Sequence, residues 1–218
     1  MDSYGKSALI LAVLDVRPGT IEIVTNLLEH GADVNITTLY PEWQAIDYIF
    51  DYLTFALEYN LTTSKPFEVI AKLLEHGAVI KGDNLIFAVD RGSLELVEFV
   101  LEYQIDVNYA TDLSKRTALM AAAEGNLETV IETLVEHGAV VDQQDDRGRT
   151  ALFKAVASGS SKAVLALLQH NASATIKDEY HYTPLMIAVI WGRAEVVQIL
   201  LSNVDFSSQE KSRALGIS

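Results

Sequence analysis

Arg116-Thr117-Ala118-Leu119, Arg149-Thr150-Ala151-Leu152 and Tyr182-Thr183-Pro184-Leu185 follow one another at intervals of 33 residues without a gap. Earlier copies of the same block stand at Ser7-Ala8-Leu9 and at Asp83-Asn84-Leu85, with Asp83 34 residues before Thr117. A second block recurs downstream of each. It reads Leu27-Leu28-Glu29-His30-Gly31-Ala32, Leu73-Leu74-Glu75-His76-Gly77-Ala78 and Leu134-Val135-Glu136-His137-Gly138-Ala139, with looser copies beginning at Val100, Leu167 and Leu200. Self-similarity at a fixed period of this length marks a repeat architecture, and it decides the fold before any single motif is weighed.

The physics of one unit is readable from its spacing. In the second block apolar residues fall at i, i+1, i+4 and i+5. The sets are Ile23/Val24/Leu27/Leu28, Val69/Ile70/Leu73/Leu74, Leu96/Val97/Val100/Leu101, Val130/Ile131/Leu134/Val135, Ala163/Val164/Leu167/Leu168 and Val196/Val197/Leu200/Leu201. That is a broad apolar stripe on a helix of two to three turns. Gly31, Gly77, Gly138 and Asn171 then stand where a left-handed C-terminal cap is needed. The first block, with Leu119/Ala122/Ala123 and Leu185/Ala188, is a shorter helix with small residues for close contact. Gly92, Asn126, Gly159 and Gly192 share one turn register between the helices, and asparagine is the non-glycine residue that best tolerates positive φ. Asp112, Asp145 and Asp178, each five residues before the Thr, mark a turn between units. One helix pair of this size cannot bury both its faces, so the units must stack.

This pattern resembles the ankyrin repeat, whose signature is Thr-Pro-Leu-His-x-Ala; the closest match is Thr183-Pro184-Leu185-Met186-Ile187-Ala188. Asp33-Val34-Asn35 and Asp106-Val107-Asn108 match the usual hairpin ending. The resemblance covers about residues 2 to 206. It implies an all-α repeat fold, an ankyrin-type solenoid of about six helix-turn-helix units joined by turns or short β-hairpins. The units of this single array are about 2–38, 39–81, 82–111, 112–144, 145–177 and 178–206, with 207–218 a C-terminal cap or the start of a truncated repeat. The signature His is replaced by Ile10, Ile86, Met120, Phe153 and Met186, so apolar packing is expected to stand in for the family's Thr–His hydrogen bonding.

Two units depart from the pattern. The first carries about three extra residues, Val16-Arg17-Pro18, between its helices. The second puts Pro41-Glu42-Trp43-Gln44-Ala45-Ile46-Asp47-Tyr48-Ile49-Phe50 in place of the signature. It reads as a first helix from about 42 to 59, a loop through Thr62-Thr63-Ser64-Lys65-Pro66, and a regular second helix. Trp43, Tyr48, Phe50, Tyr52 and Phe55 are either extra core for the longer helix or an exposed aromatic platform. In the tail, Ser208 reads as an N-cap and Gly216 as the stop of a short helix.

Composition narrows the function. Sixteen Lys+Arg against 30 Asp+Glu give a formal charge of −14, which argues against nucleic acid and against an anionic membrane surface as partners. Zero cysteines remove disulfides, thiolate metal sites and cysteine nucleophiles. His30, His76, His137 and His170 share one register, but equivalent positions on stacked helices are about 8–10 Å apart or more, too far to share one metal ion. They read as surface residues near helix C-termini, and His181, in a turn among tyrosines, as a contact residue. No nucleophile elbow, phosphate loop or dinucleotide fingerprint occurs. The expectation is a non-enzymatic chain with no catalytic residue, cofactor or metal, intracellular and cytoplasmic, monomeric, without signal peptide or transmembrane segment.

The resemblance implies a concave surface, built from turn tips and first-helix ends, that is offered to a protein partner. Carried over position by position, the tips are Ser3, Tyr4 and Lys6; Leu113, Ser114 and Arg116; Asp146, Arg147 and Arg149; and Glu179, Tyr180 and Tyr182. The helix ends are Leu14 and Asp15, Asp90 and Arg91, Glu124 and Gly125, Ala157 and Ser158, and Ile190 and Trp191. Interface energy concentrates in Trp, Tyr and Arg. Units four to six supply Arg116, Arg147, Arg149, Tyr180, Tyr182 and Trp191, whereas the first three supply only Tyr4 and Arg91. Those six are the candidate partner-binding residues, facing an acidic or acidic-aromatic segment, in an adaptor, scaffold or inhibitor. The competing reading has Trp191 packed against the tail around Leu215 and the arginines merely paired with Asp146 and Glu179. The alternative role is a regulatory ankyrin domain excised from a larger enzyme or channel.

The irregular second unit lacks the signature and contains the long connection from Leu61 to Pro66, so coupling to its neighbours is expected to be poorest there. Amides of residues 42 to 66 should exchange with deuterium before those of the last three units; the reverse order would refute the weak joint.

Overall fold

The first helix of a repeat begins where a hydroxyl meets the backbone N–H three residues on. In the computed structural model, which describes residues 7–14, 18–39, 43–58 and 64–215 (side chains excepting 54–58, 64, 65 and 215), Ser7 Oγ accepts from Ile10 N at 3.3 Å. Thr117, Thr150 and Thr183 accept in the same way from Met120, Phe153 and Met186 at 3.3, 3.2 and 3.3 Å. A cap of this kind is worth about 1 kcal/mol. Pro184, at the first helical position after Thr183, gives up an N–H that has no intrahelical partner there. The signature Thr thus serves its own helix. The residues in the His slot do turn inward: Ile10, Ile86, Met120 and Phe153 are buried, and Met186 is half-buried.

Thirteen helices follow among the described residues: α1 (Ala8–Val13), α2 (Thr20–Glu29), α3 (Ala45–Glu58), α4 (Ser64–Glu75), α5 (Gly82–Asp90), α6 (Leu94–Leu101), α7 (Ala118–Glu124), α8 (Glu128–Glu136), α9 (Ala151–Ser158), α10 (Ser161–Gln169), α11 (Pro184–Ile190), α12 (Ala194–Asn203) and α13 (Ser208–Leu215). The one extended pairing among the described residues is an isolated antiparallel bridge between Ala110 and Thr117. The fold is all-α, in repeated helix pairs, as the spacing predicts. Gly92, Asn126, Gly159 and Gly192 turn the chain between paired helices at φ 69°, 57°, 78° and 66°. Gly31, Gly77, Gly138 and Asn171 end the second helices at φ 82°, 91°, 90° and 62°. Gln104, at φ 51°, takes the equivalent slot in the third repeat, where no glycine or asparagine signals it. Three of the register histidines act locally. The Nδ1 atoms of His30, His76 and His137 lie 2.7, 2.9 and 2.8 Å from the carbonyls of Asn26, Lys72 and Thr133, four residues back. Their rings close the ends of the helices that carry them.

The chain divides into two compact bodies, Met1–Asn84 and Leu85–Ser218, so the boundary falls inside α5. In the N-terminal body α1 packs on α2 and α3, and α4 packs on α2 and α3. The amide of Asn35 bridges successive repeats by donating to the Gly77 carbonyl at 3.0 Å. In the C-terminal body α9 lies against α7, α10 and α11, while α10 lies between α8 and α12. Asn108 repeats the bridge, donating to the Gly138 carbonyl at 3.0 Å and accepting from Val140 N at 2.7 Å. Asn126 accepts from Ala163 N at 3.0 Å, so the turn residue of one pair also caps the next. The cores are the predicted stripes. Val130, Ile131 and Leu134, and likewise Val164 and Leu167, are buried, with the fourth stripe position at the rim.

Four boundaries and exposures differ from the sequence reading. Helix α3 is described over Ala45–Glu58, with Trp43 and Gln44 outside it, where the sequence reading begins the helix at about 42; residues 42 and 59 lie outside the described residues. Helix α4 already begins at Ser64, so Ser64, Lys65 and Pro66 form a helical first turn rather than loop; a proline is tolerated there because no intrahelical bond uses its N–H. Ser207, not Ser208, caps α13. Its hydroxyl accepts from Glu210 N at 3.2 Å while the Glu210 carboxylate accepts from Ser207 N and Oγ at 2.8 and 2.7 Å, a reciprocal box. Those bonds hold the Glu210 carboxyl below its ordinary range, the Ser207 hydroxyl contributing most. Finally, Ile23 and Leu201 are 53% and 39% exposed rather than buried with their stripes. In the second repeat Phe50 is fully buried and Trp43 meets Tyr48 edge-on at 5.1 Å. Phe50 is thus core, while Trp43 and Tyr48 are half-buried. Tyr52 is half-buried. Gly216 and the Phe55 and Leu215 side chains lie outside the described residues.

Leu134 is completely buried, and Leu134→Ala is expected to destabilise by about 2–5 kcal/mol in urea unfolding. A loss under about 1 kcal/mol would contradict this packing.

Candidate functional site

The segment Asp145-Asp146-Arg147-Gly148-Arg149 folds around its first carboxylate. Asp145 N donates to the Arg149 carbonyl at 2.9 Å, and Gly148, at φ 72°, donates to the Asp145 carbonyl at 3.0 Å. Asp145 Oδ1 accepts from the N–H groups of Arg147 and Arg149 at 2.9 and 2.8 Å. The next repeat builds the same tip: Asp178 Oδ1 accepts from Tyr180 and Tyr182 N–H at 3.0 and 2.8 Å, and Asp178 N donates to the Tyr182 carbonyl at 3.0 Å. His181 sits in the Gly148 slot at φ 66°, exposed. The tip of the fourth repeat departs. Thr111, not Asp112, closes it, accepting from Arg116 N at 3.0 Å, and the loop is one residue wider, with Asp112 exposed. The tips also join: Asp146 N donates to the Ser114 carbonyl at 3.1 Å and Glu179 N to the Arg147 carbonyl at 2.9 Å.

With the aspartates turned inward, the other tip side chains face out and meet the ends of the first helices. Between the fifth and sixth repeats they enclose a cleft of about 310 Å³. Its floor is Phe153, Ala157 and Ile187, and its rim is Tyr180, Tyr182, Ile190 and Trp191. The rim residues are 67%, 41%, 57% and 55% exposed, an unusual concentration of large apolar side chains left in water. Arg147, Arg149, Lys154 and Asp178 complete the lining. Of the six residues singled out from the sequence, five are brought together here: Arg147, Arg149, Tyr180, Tyr182 and Trp191. Of the other tip and helix-end positions, Ser3, Tyr4, Lys6 and Asp15 lie outside the described residues.

Arg116 sits elsewhere. Its guanidinium is bidentate to Asp90 at 2.9 and 2.7 Å and reaches Glu124 at 3.2 and 3.0 Å. Its pKa is raised further above its ordinary value, the Asp90 hydrogen bonds contributing most. Glu124 in turn holds Lys154 Nζ at 3.1 Å, and Lys154 lies 3.2 Å from Asp145. Asp145 then takes the Arg149 guanidinium through Nε at 2.9 Å and Nη2 at 2.8 Å. Charges therefore alternate from Asp90 to Arg149 along the first-helix ends and tips. Burial pushes the Asp145 carboxyl up, but the hydrogen bonds from the Arg149 side chain and from the Arg149 and Arg147 amides outweigh it and hold it below the ordinary range.

Neither arginine pairs with Asp146 or Glu179, and Trp191 stands open in the cleft. Among the described residues the Arg147 guanidinium, exposed at the rim, has no hydrogen bond or ion pair. Sequence reasoning missed Lys154 and the floor residues Phe153 and Ile187. Phe153 carried a signal, as a large side chain in the slot of the signature His; Lys154 carried none. No group of three His, Asp or Glu among the described residues is arranged to hold a metal ion.

Removing the Arg149 side chain strips two charge-assisted bonds from a buried carboxylate. Arg149→Ala is expected to lower stability by about 1.5–3 kcal/mol, and Arg147→Ala to leave it within about 0.5 kcal/mol. Because the folded-state pKa of Asp145 is depressed, its contribution should be present in full above about pH 4, the unfolded value, and fade as pH falls further. Urea midpoints for wild type and Asp145→Asn, compared from pH 7 down to 3, check this; a constant difference would contradict it.

Models described as "Ankyrin repeats (3 copies)" match residues 60–145, 85–178 and 140–210, and a model described as "Ankyrin repeat" matches residues 4–39. The chain is 32% identical over 132 residues to the Ankyrin repeat and KH domain-containing protein mask-1 of Caenorhabditis elegans, covering 59% of this chain and 4% of that protein. It is 28% identical over 131 residues to a putative ankyrin repeat protein of Acanthamoeba polyphaga mimivirus, covering 55% of this chain and 20% of that one. The chain thus spans a small fraction of the curated relatives it matches. With helix pairs capped by the repeating Thr, turned by the repeating Gly or Asn and matched along most of their length, the chain belongs to the ankyrin repeat family.

Proposed function

We propose that the chain is a non-enzymatic protein-interaction module that receives its partner in the cleft between the fifth and sixth repeats. Ankyrin repeats are in general protein-binding modules and in general lack catalytic activity. The observation that carries the reading is the rim itself: Tyr180, Tyr182, Ile190 and Trp191, all exposed, around a floor of buried apolar side chains. Aromatic side chains of this kind contribute large contact area at small entropic cost. A cleft of about 310 Å³ lies at the lower end of the range for bound small molecules and suits one or two side chains of a partner. No helix among the described residues is long and apolar enough to cross a membrane. The roles this reading covers are an adaptor, a scaffold or an inhibitor.

A second reading starts from the share of the relatives that is matched, 4% and 20% of their length, which puts similar repeats inside longer proteins. In it the repeats are a regulatory ankyrin domain excised from a larger enzyme or channel. Both place the partner in the same cleft.

Tyr182 and Trp191 make no side-chain hydrogen bond among the described residues, so replacing them leaves the tip scaffold in place. With a partner recovered on the immobilised chain, Tyr182→Ala plus Trp191→Ala is expected to weaken binding by more than about 2 kcal/mol without a change in circular dichroism. Unchanged affinity, with a larger loss in Tyr52→Ala, would move the site to the second repeat.

A further inference from the structure

The cleft has an apolar floor and charged side chains at its edge. Its lining holds three cations, Arg147, Arg149 and Lys154, against the single carboxylate of Asp178, on a chain whose formal charge is −14. Those three cations are not equivalent. Arg149 is bound to Asp145, and Lys154 is bound to Glu124 and Asp145. The Asp178 carboxylate already accepts two backbone N–H groups through Oδ1. Of the three, Arg147 alone has an uncommitted charge. Its backbone is fixed on both sides, the N–H by Asp145 and the carbonyl by Glu179 N at 2.9 Å, so the guanidinium is carried on a rigid tip.

Resting on the interaction reading above, we propose that the partner presents a linear peptide segment in which a bulky aliphatic or aromatic side chain stands within two residues of an Asp or Glu. The bulky side chain fills the cleft over Phe153 and Ile187, against Trp191. The carboxylate meets Arg147 as a bidentate pair. Planar bidentate recognition selects carboxylate geometry, and the uncommitted guanidinium of Arg147, held on a rigid tip beside the apolar floor, is the group that would receive it. Arg149 and Lys154 are positioning residues here, since their charges already hold the tip and first helix together.

A random dodecapeptide phage library selected on the immobilised full chain tests this, with affinities of the enriched peptides measured by fluorescence anisotropy. The expected outcome is enrichment of Phe, Trp, Leu or Met within two residues of Asp or Glu, with binding reduced at least tenfold by Arg147→Glu and by Trp191→Ala and unchanged by Arg91→Glu. Selection on Arg147→Glu should then enrich Lys or Arg at the acidic position. Peptides that depend on Trp191 but carry no acidic residue would overturn the acidic-segment inference and leave the cleft as the docking site. Peptides indifferent to both Trp191→Ala and Arg147→Glu, or no enrichment, would overturn the inference and the interaction reading of the cleft together.

Discussion

Two short helices joined by a turn expose apolar surface on both sides, and neither side can be buried within the pair. Everything else in this chain follows from supplying each pair with a neighbour. Small residues in the first helices, Ala121, Ala122 and Ala123 in α7 and Ala151 and Ala155 in α9, are buried and let α7 and α9 approach closely. The polar groups left at helix ends and turns are then satisfied across repeats: Asn35 and Asn108 reach the closing glycine of the next repeat, and Asn126 caps the next helix.

Stacking also fixes what the surface can do. Acidic residues lie on the outward face of the second helices, where Glu95, Glu98 and Glu102 are exposed. Cations gather at tips and first-helix ends, where Asp90, Arg116, Glu124, Lys154, Asp145 and Arg149 pair in sequence. A buried carboxylate at Asp145 is tolerated because backbone N–H groups, a guanidinium and an ammonium all converge on it. The same group aims the chain so that Arg147, and one repeat later Tyr180, project outward. Partner chemistry and tip stability thus share one segment, in which Arg149 holds the tip together and Arg147, two positions away, is left to face a partner.

Local rules carried most of the fold into the sequence. The positive-φ slots at Asn126 and Asn171 and the apolar stripes each depend on residues within one turn of each other, and each is found where spacing puts it. Gln104 escaped because its φ of 51° is imposed by the repeat rather than invited by its side chain. Ser207 and Ser208 are adjacent and chemically identical, so only the reciprocal bond with Glu210 decides which one caps α13. The cleft was legible as a set of residue types at tip and helix-end positions. Its charge state was not, because the pairing of Arg116 with Asp90 and of Lys154 with Glu124 spans 26 and 30 residues and depends on how repeats superpose.

The chain holds two tryptophans, Trp43 in the second repeat and Trp191 at the cleft rim, which makes the central claim directly observable. Labelling with 5-fluorotryptophan gives two fluorine resonances, assigned by replacing each residue with Phe. On titration with a partner recovered from the immobilised chain, docking at the fifth and sixth repeats requires the Trp191 resonance to shift or broaden while that of Trp43 stays put. Movement of Trp43 with Trp191 unchanged would contradict the account.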